Sequence, residues 1–288
     1  MWFVKLSLIH RQRHFGLCVP LIQSASNSRE TDKINAVHCF SLLLMPALSR
    51  FKRMIRLVLF DIDGTLVRTG SAGVKAFAKV FATEFCATDH LENLKFAGRT
   101  DTNLVREFFS YHAIPATPVN FERFFGRYTF WLDQILNHSQ TEICAGVREF
   151  IQDLNALPQP PRIGLLTGNI RLGAEIKLRH FNLWQEFETG AFADDHEDRS
   201  QIAVVARERG QRLLGNNLRD EEILVIGDTP HDIRCARAIG AKILAVATGG
   251  STLEELKQHQ PDWAVEDLRK ITASEICGQT GSSNSRLV

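Results

Sequence analysis

Four short runs of branched and aromatic residues set the frame for this chain: "RLVLFDID" from Arg56, "RIGLLTGN" from Arg162, "EILVIGD" from Glu222 and "AKILAVATGG" from Ala241. Each is apolar on both faces and ends in Gly, Thr, Asn or Asp. A strand with one solvated face alternates apolar and polar residues, so runs without a polar face belong in a parallel sheet covered on both sides by helices. Between them lie "LGAEIKLRHFNL", "SQIAVVARERGQRLL" and "PHDIRCARAIG", each long enough for a crossover helix. The alternation predicts an α/β fold with a doubly wound parallel sheet. In such sheets ligands sit beyond the carboxyl ends of the strands, and those ends are where this chain keeps its acids.

Residues 70–157 interrupt the alternation. "AGVKAFAKVFATEF" places Val74, Phe77, Ala78, Phe81 and Phe85 on one helical face, and "FERFFGRYTFWLDQIL" does the same with Phe121, Phe124, Phe125, Tyr128, Trp131, Leu132 and Ile135. These stripes read as packed core rather than as a cofactor box. The expected organisation is a core of residues 54–69 and 158–278 with a helical cap at 70–157. The stiff "LPQPPR" return (Leu157–Arg162) and the loop near Gly70–Gly73 are expected to form a two-stranded hinge. The polar end, 279–288, is expected to be a flexible tail.

Residues 1–53 differ from the rest. They carry only Glu30 and Asp32 as acids and lack an apolar segment followed by a small-residue cleavage site. We expect an extension, disordered or upstream of a true start at Met54, with a targeting segment as the other reading. Over all 288 residues the formal charge is +1, so there is no basic footprint for nucleic acid, and a charged ligand must be held by a local cluster. The six cysteines, Cys18, Cys39, Cys86, Cys144, Cys235 and Cys277, show no C-x-x-C pair and no zinc spacing, which predicts reduced thiols and a cytoplasmic protein. No window reaches the roughly 18 apolar residues of a membrane span.

Asp61 and Asp63 stand one residue apart at the end of the first run, and Gly64 follows at once. Residues two apart on a strand share a side, and Gly64 permits the second acid to swing across a small cleft. Two facing carboxylates repel unless a cation or a shared proton offsets the repulsion. Mg²⁺ takes hard oxygen ligands, and "VIGDTPHD" supplies Asp228 and Asp232 from another strand end. In "LLTGN", the Thr167 hydroxyl and the Gly168 and Asn169 amides can donate to phosphate oxygens, although a strand-terminal Thr is also a common helix cap.

The run "DIDGTL" with "LLTGN", a later Arg and "GDTPHD" resembles the haloacid dehalogenase-like hydrolase superfamily, in the phosphatase branch that includes phosphoglycolate phosphatases. The resemblance extends from Met54 to about Asp267. It implies a Rossmann-like core with a helical cap, Asp61 as the nucleophile that becomes an aspartyl-phosphate, and Asp63 as general acid and then base. It further implies Mg²⁺ held by Asp61, Asp63 and Asp228, with Asp232 binding a metal-bound water or orienting the cation. The phosphate would be gripped by Thr167, Gly168, Asn169 and a basic residue. That basic residue is usually Lys; here Arg199 is the choice, before a helix start, with Arg207 as the rival. His196 and Glu197 read as a surface turn rather than metal ligands, Pro230 fixes its turn, and His231 is expected to face solvent. In "FAGRTDTNLVREF", Arg99 could meet a substrate carboxylate or second phosphate, or pair with Asp101.

The implied partner is a small phosphorylated metabolite, with phosphoglycolate the best single compound. A phosphomutase of the same fold needs the same acids, and a non-catalytic phosphate sensor or partner-binding scaffold is the reading from another class. A dehalogenase or a phosphonate hydrolase has no use for the second acid, so Asp63 argues against both. Oligomeric state is not legible in the sequence.

Overall fold

The computed structural model describes residues 54–279. In chain order the elements are β1 (Leu57–Phe60), β2 (Val67–Arg68), α1 (Ala72–Phe85), α2 (Asp101–Tyr111), α3 (Pro118–Leu136), β3 (Glu142–Ile143), α4 (Val147–Asn155), β4 (Arg162–Leu166), α5 (Arg171–His180), β5 (Thr189–Ala191), α6 (Arg199–Leu214), β6 (Ile223–Gly227), α7 (Pro230–Ala238), β7 (Lys242–Val246), α8 (Leu253–Gln258), β8 (Trp263–Val265) and α9 (Ala273–Cys277). The expected extension at 1–53 and all but the first residue of the expected tail lie outside the described residues. Gln279 itself is buried, and its side chain bonds the backbone of Gln159.

Six strands form one sheet in the order β5-β4-β1-β6-β7-β8, every pair parallel. The four runs singled out in the sequence are β1, β4, β6 and β7; the two short outer strands, β5 and β8, carried too few residues to stand out. Alternation on β1 feeds both layers. Val58 and Phe60 join α4, α5 and α9 on one face, while Leu57 and Leu59 join α6, α7 and α8 on the other. Burying a Leu or Phe in such a layer contributes about 1.5–3 kcal/mol. The chain leaves β1 toward β4 on one side and β6 on the other, so β1 and β6 flank the topological switch point, where an open α/β sheet leaves a crevice for ligand.

The helices between residues 70 and 157 do not all pack together. β2 and β3 pair antiparallel, Val67 with Ile143 and Arg68 with Glu142, and form the two-stranded connection between sheet and helices. The cap is therefore α1, α2 and α3. Its aromatic core holds Phe77, Phe81, Phe108, Phe124 and Tyr128, with Phe77 meeting Phe124 and Tyr128 edge-on at 5.0 and 4.9 Å between centroids. The fourth helix, α4, lies within the expected cap bounds of 70–157, but Phe150, Ile151 and Leu154 pack into the sheet layer with Phe60 and Leu165. The Pro-rich return thus leads from a core helix into β4 and is not the hinge. An amphipathic period shows that a helix has a buried face but not which neighbour buries it.

Candidate active site

β1 ends at the switch point, and the Asp61 amide still donates to Ile226 O at 2.9 Å, so this residue keeps its place in the sheet. The chain then turns. Gly64, at φ 87°, takes a left-handed conformation, and the amides of Leu66 and Val67 donate back to Ile62 O at 2.9 and 3.0 Å. The turn sends Asp63 away from Asp61. Its Oδ2 accepts from Asn169 Nδ2 at 2.8 Å and from Lys177 Nζ at 2.6 Å. Two residues that share a side on an ideal strand are separated here because the strand stops between them.

Asp228 follows β6. Its Oδ1 accepts from the Thr65 hydroxyl at 3.0 Å. Gly64 and Gly249 crowd its other oxygen so closely that a Cβ on Gly249 would overlap Asp228 Oδ2. Asp232, in the first turn of α7, is fully committed: Oδ2 accepts from the Thr229 amide at 3.0 Å and hydroxyl at 2.6 Å, and Oδ1 accepts from Arg199 Nη2 at 2.5 Å. The same Nη2 lies 2.8 Å from Asp61 Oδ1. Arg199 opens α6 and is buried, with Nε lacking a protein partner. Arg207 pairs instead with Asp220 at 3.5 Å, outside the site.

One oxygen from each of Asp61, Asp228 and Asp232 lies within 4.8 Å of the others, the one such cluster among the described residues. Burial, with Asp232 and Asp63 nearby, pushes the Asp61 carboxyl up to about 7 despite Arg199. Burial, with Asp232 and Asp61, pushes Asp228 up to about 8. Buried hard oxygen donors whose negative charge is under-compensated fit a divalent cation. With Asp232 occupied by Arg199 and Thr229, the carboxylates able to hold the ion are Asp61 and Asp228. The expected set included Asp63, but its carboxylate is not in the cluster and faces Lys177. Gly249→Ala is expected to displace Asp228 and lower activity by about 10²-fold, since misplacement near 1 Å costs that much. Calorimetric titration with Mg²⁺ should show weakened binding in the same variant; unchanged binding would contradict this account of Asp228.

Beyond β4, Thr167 Oγ1 accepts from Asn169 Nδ2 at 2.9 Å and from its amide at 3.3 Å, which leaves the hydroxyl proton for another acceptor. Thr167, Gly168 and Asn169 line a cavity of about 430 Å³ with Asp61, Asp63 and Arg199, closed on the cap side by Phe77, Phe96, Leu104 and Tyr128. Two contributors were not anticipated. Lys177 lies on the buried stripe of α5 with Gly173, Ala174 and Leu178, and a lysine at that spacing was a readable signal. Asp101 arrives from α2: its amide donates to Gly168 O at 2.7 Å, and its Oδ2 accepts from the Ile170 amide at 2.9 Å. Burial pushes its carboxyl up to about 7, with Lys177 opposing.

The cap loop is tied down at further points. The Thr100 hydroxyl donates to Glu197 O at 2.8 Å, and Arg106 pairs with the Glu197 carboxylate, which lies in a surface turn as expected. Arg99 pairs with Glu107 at 2.5 Å and with Asn103, not with Asp101. His231 is half-buried rather than solvent-facing, because Gly98 of the cap loop packs on its ring.

A model of the haloacid dehalogenase-like hydrolases matches residues 58–246, from the second residue of β1 to the last of β7. The chain belongs to this family. Among curated proteins, this hydrolase is 24% identical over 233 residues to pyrophosphatase PpaX of Bacillus pumilus, spanning 76% of this chain and 95% of that protein. It is 25% identical over 226 residues to PpaX of Bacillus mycoides, spanning 75% and 95%. Among solved structures, its fold is similar to CbbY of Rhodobacter sphaeroides in complex with phosphate, with TM-score 0.56, 18% identity and coverage of 69% and 88%. It is also similar to a predicted phosphoglycolate phosphatase from Haemophilus somnus, with TM-score 0.58, 18% identity and coverage of 74% and 95%. Within this hydrolase the carboxyl ends of β1 and β6, which carry the cluster of buried acids, fall inside the span of the family match.

Proposed function

We propose that the protein is a Mg²⁺-dependent phosphatase that hydrolyses small phosphorylated metabolites through an aspartyl-phosphate on Asp61. The observation that carries this reading is the placement of Asp61. It is a buried carboxylate at the sheet switch point, paired with Arg199 on one oxygen, facing Asp228, and beside a cavity that also holds the Asp63 carboxylate. The relatives named as pyrophosphatases support phosphoryl chemistry and put pyrophosphate on the list of compounds to assay. The described cysteines are free thiols, three of them buried, which supports a reducing, cytoplasmic setting.

A carboxylate oxygen of Asp61 attacks phosphorus as the bond to the leaving oxygen breaks. Asp63 gives its proton to that oxygen, so no free alkoxide is released. Asp63, now a carboxylate, takes a proton from water as the water oxygen attacks phosphorus, which releases phosphate and restores Asp61. Arg199, the Thr167 hydroxyl and the amides of Gly168 and Asn169 meet the phosphoryl oxygens and offset the charge they gather. A divalent ion held by Asp61 and Asp228 would add positive charge at the same oxygens. Asp232 keeps Arg199 in place by accepting its Nη2. The cap lines one side of the cavity with Phe77, Phe96, Leu104 and Tyr128, and its closure over a bound substrate would expel bulk water and strengthen each of these interactions.

The resemblance to phosphoglycolate phosphatases makes phosphoglycolate the first compound to assay. Phosphate release is expected from p-nitrophenyl phosphate with Mg²⁺, with loss of at least about 10²-fold in EDTA. A panel of phosphoglycolate, pyrophosphate, sugar phosphates, nucleotides and phosphoserine then ranks substrates, and product analysis separates hydrolysis from internal phosphoryl transfer. Folded protein that releases no phosphate from any of these compounds would favour the scaffold reading.

A further inference from the structure

Among the described residues two cationic side chains are buried, Arg199 and Lys177. The first is used by the phosphoryl chemistry above; the second is not. An ammonium out of water costs several kcal/mol unless it is paired and hydrogen-bonded. Lys177 is both: Nζ lies 2.6 Å from Asp63 Oδ2 and 2.6 Å from Asn169 Oδ1. Asn169 in turn donates Nδ2 to the same Asp63 Oδ2 at 2.8 Å. All three residues come from the core rather than the cap: Asp63 from the turn after β1, Asn169 from the loop after β4, and Lys177 from α5.

The consequence lies in which oxygen of Asp63 is left available. Oδ2 accepts from two donors, one of them charged, and an oxygen so occupied is a poor place for a proton. Oδ1 is therefore the oxygen left to face the leaving group. Both residues line the cavity, but the side chain of Asp63 is 41% exposed against 4% for Lys177, so the carboxylate is the more accessible of the two. We propose that Lys177, together with Asn169, is a positioning residue. It fixes the Asp63 carboxylate so that Oδ1 delivers the proton to the leaving oxygen and, in the second half of the reaction, accepts one from water. This inference rests on the phosphatase reading and adds to it a residue whose hydrogen bonds go to Asp63 and Asn169 rather than to the clustered carboxylates of Asp61, Asp228 and Asp232.

The test uses leaving groups of different need. p-Nitrophenolate departs without a proton, whereas an alkoxide requires one. kcat/KM is the quantity to compare, because it includes steps only up to departure of the leaving group, before Asp63 acts as a base. For Lys177→Met, kcat/KM on an alkyl phosphate is expected to fall by roughly 10²-fold, the typical contribution of general acid catalysis, and on p-nitrophenyl phosphate by less than about fivefold. Lys177→Arg, which keeps the charge, is expected to recover part of the alkyl phosphate activity. The ratio of the two rates in one preparation is independent of the folded fraction, so partial unfolding cannot imitate the result. Equal losses on both compounds would overturn the inference and make Lys177 a phosphate-binding or purely structural residue. If wild-type protein with Mg²⁺ hydrolyses neither compound, the phosphatase reading fails first and this inference with it.

Discussion

Asp61→Asn is expected to yield a folded protein that releases phosphate at least roughly 10⁴-fold more slowly than wild type, the scale seen when a covalent nucleophile is removed. In EDTA at pH 8 the same variant is expected to melt several degrees higher. Both effects come from one property of the site. Asp61 is buried, and burial with Asp232 and Asp63 nearby raises its carboxyl to about 7, so ionisation at pH 8 works against folding when no divalent ion is present. Asparagine has the same shape, keeps an acceptor for Arg199 and cannot ionise. The measurements are a phosphate-release assay and a thermal melt on the same preparation. An active variant, or one that melts lower than wild type, would contradict Asp61 as both nucleophile and strained acid.

The second large effect concerns pH and metal together. Asp61 and Asp228 have folded-state values of about 7 and about 8, above the ordinary 3.8 of an unfolded Asp. Between those limits the folded protein holds more protons than the unfolded chain, so stability falls as pH rises. Metal-free protein is therefore expected to lose melting temperature from pH 6 to about pH 8 and to level off by pH 9, once both carboxyls are ionised in the folded state as well. Mg²⁺ binds the ionised forms and competes with protons, so its stabilisation should grow over the same interval, from slight at pH 6 to roughly 5 °C or more at pH 9. Paired melts in EDTA and in Mg²⁺ across pH give the answer. A Mg²⁺ shift that is equal at both ends, or a metal-free melting temperature that climbs with pH, would remove these two acids as the ion's holders.

Much of the fold was legible because its signals are local. A run such as Leu57–Phe60, apolar on both faces, can be satisfied only between two helical layers, and four such runs separated by helix-length segments leave little choice of architecture. The short outer strands Thr189–Ala191 and Trp263–Val265 were not legible, since three residues give no period to read. The end of the cap was hidden for a different reason. Phe150 and Leu154 on α4 have the same spacing as the stripes of α1 and α3, and only the packed structure shows that the sheet, not the cap, covers them.

What the sequence alone determined is the identity and order of the chemistry: an acid pair after one buried strand, an acid after another, and a doubly wound sheet that must bring those strand ends together. What tertiary structure decided is direction and partnership. The turn at Gly64 sends Asp63 to Lys177, 114 residues further along the chain, instead of into the cluster of Asp61, Asp228 and Asp232. The same folding gives Arg199 to Asp61 and leaves Arg207 to Asp220. Spacing along a helix or strand fixes which residues share a face. It cannot say what approaches that face from a distant part of the chain, and at this site the approaching groups set the charge each acid bears.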